Sequence, residues 1–121
     1  MIHRIKVERL IYLNHEGGKY EARLQREIEL PFMPTKDIEL FLDGEIENPH
    51  GIDHPLRIKL VLIRWFGKND EFTAVANGIN VDSFGNDPKE RKWHKIVVDH
   101  LNSGWDWLYK PEGWRFEDTE E

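Results

Sequence analysis

The sequence predicts an α+β fold: an antiparallel sheet of about five strands with one C-terminal helix packed on one face. Three observations support that class. Residues 3–30 alternate in a way that allows one hairpin register. Further apolar runs follow, separated by clusters of Pro, Gly, Asn and Asp, the chemistry of turns. Near residues 88–103 the apolar spacing changes to that of a helix, with a capping signal at each end.

The hairpin comes first. Ile5, Val7, Ile11 and Leu13 share a face of one strand, and Tyr20, Ala22, Leu24, Ile28 and Leu30 share a face of the next. Pairing Asn14 with Lys19 around His15-Glu16-Gly17-Gly18 makes those faces coincide. The same register sets Lys6 against Glu27 and Arg4 against Glu29 on the opposite face, so alternation and charge matching agree. Two residues break the apolar face, Arg9 and Arg26, and the register makes them diagonal neighbours. A guanidinium is rarely buried without a partner. Three arrangements fit: a bulge that turns one or both outward, burial against acids such as Glu39 or Asp99, or an anion- or partner-binding surface.

Pro31 and Pro34 lack the ladder N–H and end the second strand near Leu30. Ile38, Leu40 and Leu42 alternate with Glu39, Phe41 and Asp43 as a third strand, and Asp43-Gly44 turns the chain. Glu45 to Pro55 reads as a loop of about ten residues, long enough to suspect function. Leu56 to Phe66 follows as the central strand. Its LVLIRWF run is nearly continuous in apolar residues, which predicts cover on both faces and places Trp65 in the core. Gly67-Lys68-Asn69-Asp70 is a turn, and Phe72 to Val81 returns as the fifth strand. Pairing Phe66 with Glu71 sets Ala74 opposite Ile63 and Phe72 opposite Trp65. Gly78 marks a bulge or a close approach by another segment.

The helix, from about 88 to 103, starts with Asp87 as N-cap and Pro88 at its first position. Trp93, Ile96, Val97, His100 and Leu101 fall on one face, where His100 reads as a packed residue and not a ligand. Gly104 stops it. Residues 105–116 form an aromatic C-terminal segment, and residues 117–121 an acidic tail.

Residues 1–121 read as one globular domain. With 39% hydrophobic and 33% charged residues, the chain is too apolar for disorder, and its five Trp and six Phe supply core material. There is no cysteine, which excludes disulfides, thiolate metal sites and a Cys nucleophile. The start, MIHRIKVERLIYL, lacks the apolar core and cleavage site of a signal peptide, so a cytoplasmic protein is expected, bacterial or, if phage-encoded, acting in the host cytosol. No run is long and apolar enough to predict a membrane span. A net charge of −6 disfavours direct nucleic-acid binding.

Few chemical motifs are present. The two serines, Ser83 and Ser103, lie outside any nucleophile elbow, and no phosphate-binding glycine loop occurs. His50-Gly51-Ile52-Asp53-His54 gathers two imidazoles and a carboxylate, a donor set suited to zinc, nickel or iron. It lacks a further ligand, so His50, Asp53 and His54 are weak metal candidates, and no cofactor is expected. The sequence therefore favours a small, non-enzymatic protein-interaction module, such as an inhibitor, an immunity protein or a phage or bacterial accessory protein. Its partner is expected to be another protein, bound mainly through Trp105, Trp107, Tyr109 and Trp114. The alternative is a small ligand-binding or hydrolytic enzyme built on the His/Asp loop and on inward-facing Arg9 and Arg26.

Overall fold

A computed structural model describes residues 2–15, 18–42, 51–82 and 89–110. Its spine is the N-terminal hairpin, β1 (His3–His15) and β2 (Gly18–Leu30). Asn14 pairs with Lys19, Lys6 with Glu27 and Arg4 with Glu29, as the alternation requires. Then come β3 (Glu39–Phe41), β4 (Arg57–Phe66), β5 (Glu71–Ala76), β6 (Ile79–Asp82), helix α1 (Lys89–Leu101) and β7 (Asp106–Tyr109).

These strands form one mixed sheet in the order β3-β4-β5-β1-β2-β7, with β6 also beside β1. Both β5 and β6 run parallel to β1. The expectation of a five-stranded antiparallel sheet in an α+β fold is therefore corrected. Strands make up 57% of the described residues against one short helix, so the fold is mostly β. Two features of the chain account for the difference. The long β1 accepts two short strands end to end on its second side. Residues 106–109, read from the sequence only as part of an aromatic C-terminal segment, add to the edge of β2.

The second side of β1 contains a break. Glu8 pairs with Val75, but Ile11 pairs with Ile79, so one extra residue lies on the β5–β6 side. The predicted fifth strand is thus split at Asn77-Gly78, and Arg9 stands opposite the split. Asn77 fills it by donating its backbone N–H to the Lys59 carbonyl (2.8 Å) and accepting the Lys59 N–H on Oδ1 (2.9 Å).

A second irregularity lies in β4. Pairing with β5 skips from Leu60 to Leu62, leaving Val61 as a bulge. Beyond it, Ala74 pairs with Ile63, Phe72 with Trp65 and Glu71 with Phe66, as expected. The expected cover on both faces is absent, however. Ile58 and Leu60 are buried, whereas Val61, Leu62, Trp65 and Phe66 are 39, 39, 59 and 49% exposed. The far half of β4 also lacks a strand beside it among the described residues, since β3 pairs with β4 only at Arg57 to Lys59.

In α1, Trp93, Val97 and Val98 are buried, and the Trp93 indole donates to the Ile11 carbonyl at 3.1 Å. Asp87 and Pro88, the expected start signals, lie outside the described residues. At the other end Gly104 has φ of +97°, and the Trp105 N–H reaches back to the His100 carbonyl at 3.1 Å. That is a Schellman termination, which needs a left-handed residue. No described helix is long and apolar enough to cross a membrane.

Candidate functional site

Arg9 is 0% exposed, and its guanidinium is surrounded by protein acceptors. Nε donates to the Asn77 carbonyl at 3.1 Å. Nη1 points at the carbonyls of His54 (3.0 Å) and Arg57 (3.3 Å) and at His100 Nε2 (3.2 Å), and Nη2 donates to the Ile52 carbonyl at 3.0 Å. Of the three arrangements, burial with partners holds for Arg9, but those partners are not Glu39 or Asp99. Four backbone carbonyls take their place, drawn from the strand break and from the segment leading into β4. The planar five-donor fork of arginine suits such a ring, which a single ammonium would not fill.

Electrostatics follow from this geometry. Burial lowers the Arg9 pKa to about 10, opposed by the nearby charge of Asp53, so the group stays cationic at neutral pH. An arginine N–H can only donate, so His100 Nε2 must accept and His100 Nδ1 must carry the proton. Nδ1 lies 2.7 Å from the Ile96 carbonyl, which receives it. Burial first, and the charge of Arg9 second, push His100 down to about 3, so it is neutral. As expected, His100 is a packed and hydrogen-bonded residue.

Arg26 lies on the same face but has a different task. Its Nη1 donates to the Ser103 carbonyl at 2.7 Å. A side chain at Gly104 would come within 3.4 Å of the guanidinium. Arg26 therefore caps the C-terminus of α1, where a cation meets unsatisfied carbonyls and the negative end of the helix dipole. The two arginines are directed at different backbone carbonyls and share no common acceptor among the described residues.

In the histidine loop, His50 lies outside the described residues, Asp53 is exposed, and His54 Nδ1 accepts the Leu56 N–H at 3.1 Å. Among the described residues no three of His, Asp and Glu gather as metal ligands.

The aromatic segment divides. Trp105 is 1% exposed, packs against His100 with ring centroids 5.6 Å apart, and donates its indole N–H to the Pro55 carbonyl at 2.9 Å. It belongs to the core and is withdrawn from any partner surface. Trp107 is half-buried on β7, with the Lys110 ammonium 5.7 Å from its ring centre. Tyr109 is 53% exposed, and Trp114 lies outside the described residues.

A surface that the alternation does not reveal lies on the far half of β4. From Leu62 to Phe66 this strand pairs with β5 on one side, and no strand among the described residues pairs with its other side. Ile63 and Trp65 share a face with buried Ala74, while Leu62, Arg64 and Phe66 lie on the opposite face. Trp65 is exposed yet held. Its indole donates to Asp70 Oδ1 at 3.0 Å, and its ring lies over Gly67, where an added Cβ would come within 3.2 Å. Asp70 itself has φ of +48°, a conformation that Asp tolerates better than most residues. The signal in the sequence is a mismatch of lengths: a third strand from Ile38 to Leu42 is too short to cover one from Leu56 to Phe66.

No protein-family model, curated protein or solved structure matches the chain.

Proposed function

We propose that this protein is a non-enzymatic protein-interaction module of the cytoplasm, an inhibitor, immunity or accessory protein that binds another protein. The observation supporting this reading is the far half of β4, which presents Val61, Leu62, Trp65 and Phe66 to solvent beside a strand edge that no strand among the described residues pairs with. Large exposed apolar groups on one element mark interaction surfaces, and Trp is the most frequent anchor. On the opposite edge strand Leu108 and Tyr109 are exposed as well, with Tyr109 beside Arg23 on the outer face of β2. The absence of cysteine suits a reducing compartment.

The test is affinity capture of the full-length protein from its native cell, beside Trp65→Ala and Tyr109→Ala. The expected result is a co-purifying protein held by wild type and lost from Trp65→Ala. A protein lost only from Tyr109→Ala would move the surface to β7. Identical profiles for all three, or no specific protein at all, would end the reading.

A further inference from the structure

Resting on that reading, we infer the kind of partner that β4 takes: an extended segment of another protein, apolar at alternate positions and acidic between them, added to the sheet as a strand along Val61 to Phe66. Three observations carry this. First, the surface is a strand edge and not only an apolar patch. No strand among the described residues pairs with it, and outward-facing backbone donors and acceptors along such an edge are a template for one more strand. Second, the side chains beside this edge fix a pattern. Ile63 and Trp65 call for apolar residues on one face of the incoming strand, and Leu62 and Phe66 flank Arg64 on the other. A carboxylate opposite Arg64 would then sit between apolar neighbours.

The third observation is charge. From His54 to Asn69 the chain has no acidic residue, yet it carries Arg57, Lys59, Arg64 and Lys68, within a protein of net charge −6. Asp37 stands at the near end of the edge, its N–H on the Leu60 carbonyl at 2.7 Å, and the other acids around β4 are already held. Glu39 pairs with Arg57 at 3.1 Å, Glu71 with Lys6 at 2.7 Å, and Asp70 accepts the Trp65 indole. Lys59, Arg64 and Lys68 are exposed and form no ion pair among the described residues. The edge is therefore a cationic strip on an acidic protein, which selects an acidic strand. It disfavours the β4 of a second copy, because antiparallel self-pairing would bring two Arg64 side chains close together.

The probe is a display library of random linear peptides of about ten residues, long enough to span Val61 to Phe66. It is selected against the full-length protein. The expected peptides are rich in Val, Ile and aromatic residues at alternate positions, with Asp or Glu between them. Their binding slows amide exchange along Val61 to Phe66, and it weakens roughly tenfold in Arg64→Glu and at raised salt. Leu62→Lys serves as a second variant should Arg64→Glu unfold. Selected peptides without acidic enrichment overturn the inference, as do peptides that leave those amides unprotected. So does a dimer of this chain that protects the same amides. Peptides that map instead to Trp107 and Tyr109 end the strand-addition inference while leaving the interaction module standing. Failure of the native capture ends the broader reading, whatever the library yields.

Discussion

Arg9 Nη1 stands 3.2 Å from His100 Nε2, and each residue fixes the state of the other. The arginine can only donate, so the imidazole facing it is neutral. In turn, the imidazole gives a buried cation an acceptor from the helix, while the other acceptors come from the strand break and the segment before β4. Replacing Arg9 by Leu removes the donor to the Asn77 and Arg57 carbonyls and to His100 Nε2 in a buried site, while the Ile52 and His54 carbonyls keep Asn77 Nδ2 and the Arg57 N–H. The expected loss is about 3–5 kcal/mol of folding stability, read by urea unfolding at neutral pH. Arg9→Lys recovers only part of it, because one ammonium cannot reach a planar ring of acceptors. Full recovery by lysine would show that charge alone matters there.

The same contact predicts a pH dependence. His100 has a pKa of about 3 in the fold, against 6.5 for the free side chain. The unfolded chain therefore binds more protons between those values, and stability falls as pH drops from 6.5 towards 3. Removing this titration in His100→Gln flattens the acid limb of a plot of urea midpoint against pH. Parallel limbs for variant and wild type would contradict the assignment.

Gly104 offers a local test. Its φ of +97° is unfavourable for any residue with a Cβ, and an added methyl meets the Arg26 guanidinium at 3.4 Å. Gly104→Ala is expected to lose about 1–2 kcal/mol, visible as an earlier thermal midpoint. An unchanged midpoint would mean that the helix ends by another route.

Three tryptophans separate structural from surface roles. Trp93 and Trp105 are buried, and each donates its indole N–H to a carbonyl, of Ile11 and Pro55 respectively. Alanine at either position is expected to cost about 3–5 kcal/mol. Trp65→Ala should stay within about 1 kcal/mol of wild type, since its ring is mostly in solvent and loses one exposed hydrogen bond. Similar losses at all three positions would show that Trp65 belongs to the core.

What is legible in the sequence follows the range of the interactions. The β1–β2 register is local, and both alternation and charge pairing report it, so Asn14 against Lys19 is readable. The β4–β5 register is readable for the same reason, through Phe66 and Glu71. The parallel pairing of β1 with β5 and β6 joins segments that lie far apart in the chain, and no local pattern encodes it. The partners of Arg9 are hidden by that gap, because they are backbone carbonyls, which every residue possesses. Trp65 is misplaced because an apolar run looks alike whether or not a neighbour covers it, and the bulge at Val61 leaves no period-two signature. Trp105 goes wrong for a related reason: its seat depends on how the chain turns at Gly104, not on its aromatic neighbours.

The central position of β1 has a consequence for synthesis. Its partner on one side, β2, is made at once, but β5 begins only at Glu71. At 5–20 residues per second, roughly 2 to 8 s of translation separate the end of β2 from the start of β5. Throughout that interval the emerging hairpin carries an open β1 edge, and nascent chains on one polysome offer each other identical edges. Arg9 sits in the middle of that strand, still hydrated, because the ring of carbonyls from Ile52, His54, Arg57 and Asn77 is complete only after Asn77 is made. An inward-pointing cation is one of the devices that keep such an edge from joining a copy of itself. Arg9, which ties the finished sheet together, thus also places an unburied charge in the middle of the edge left open during synthesis.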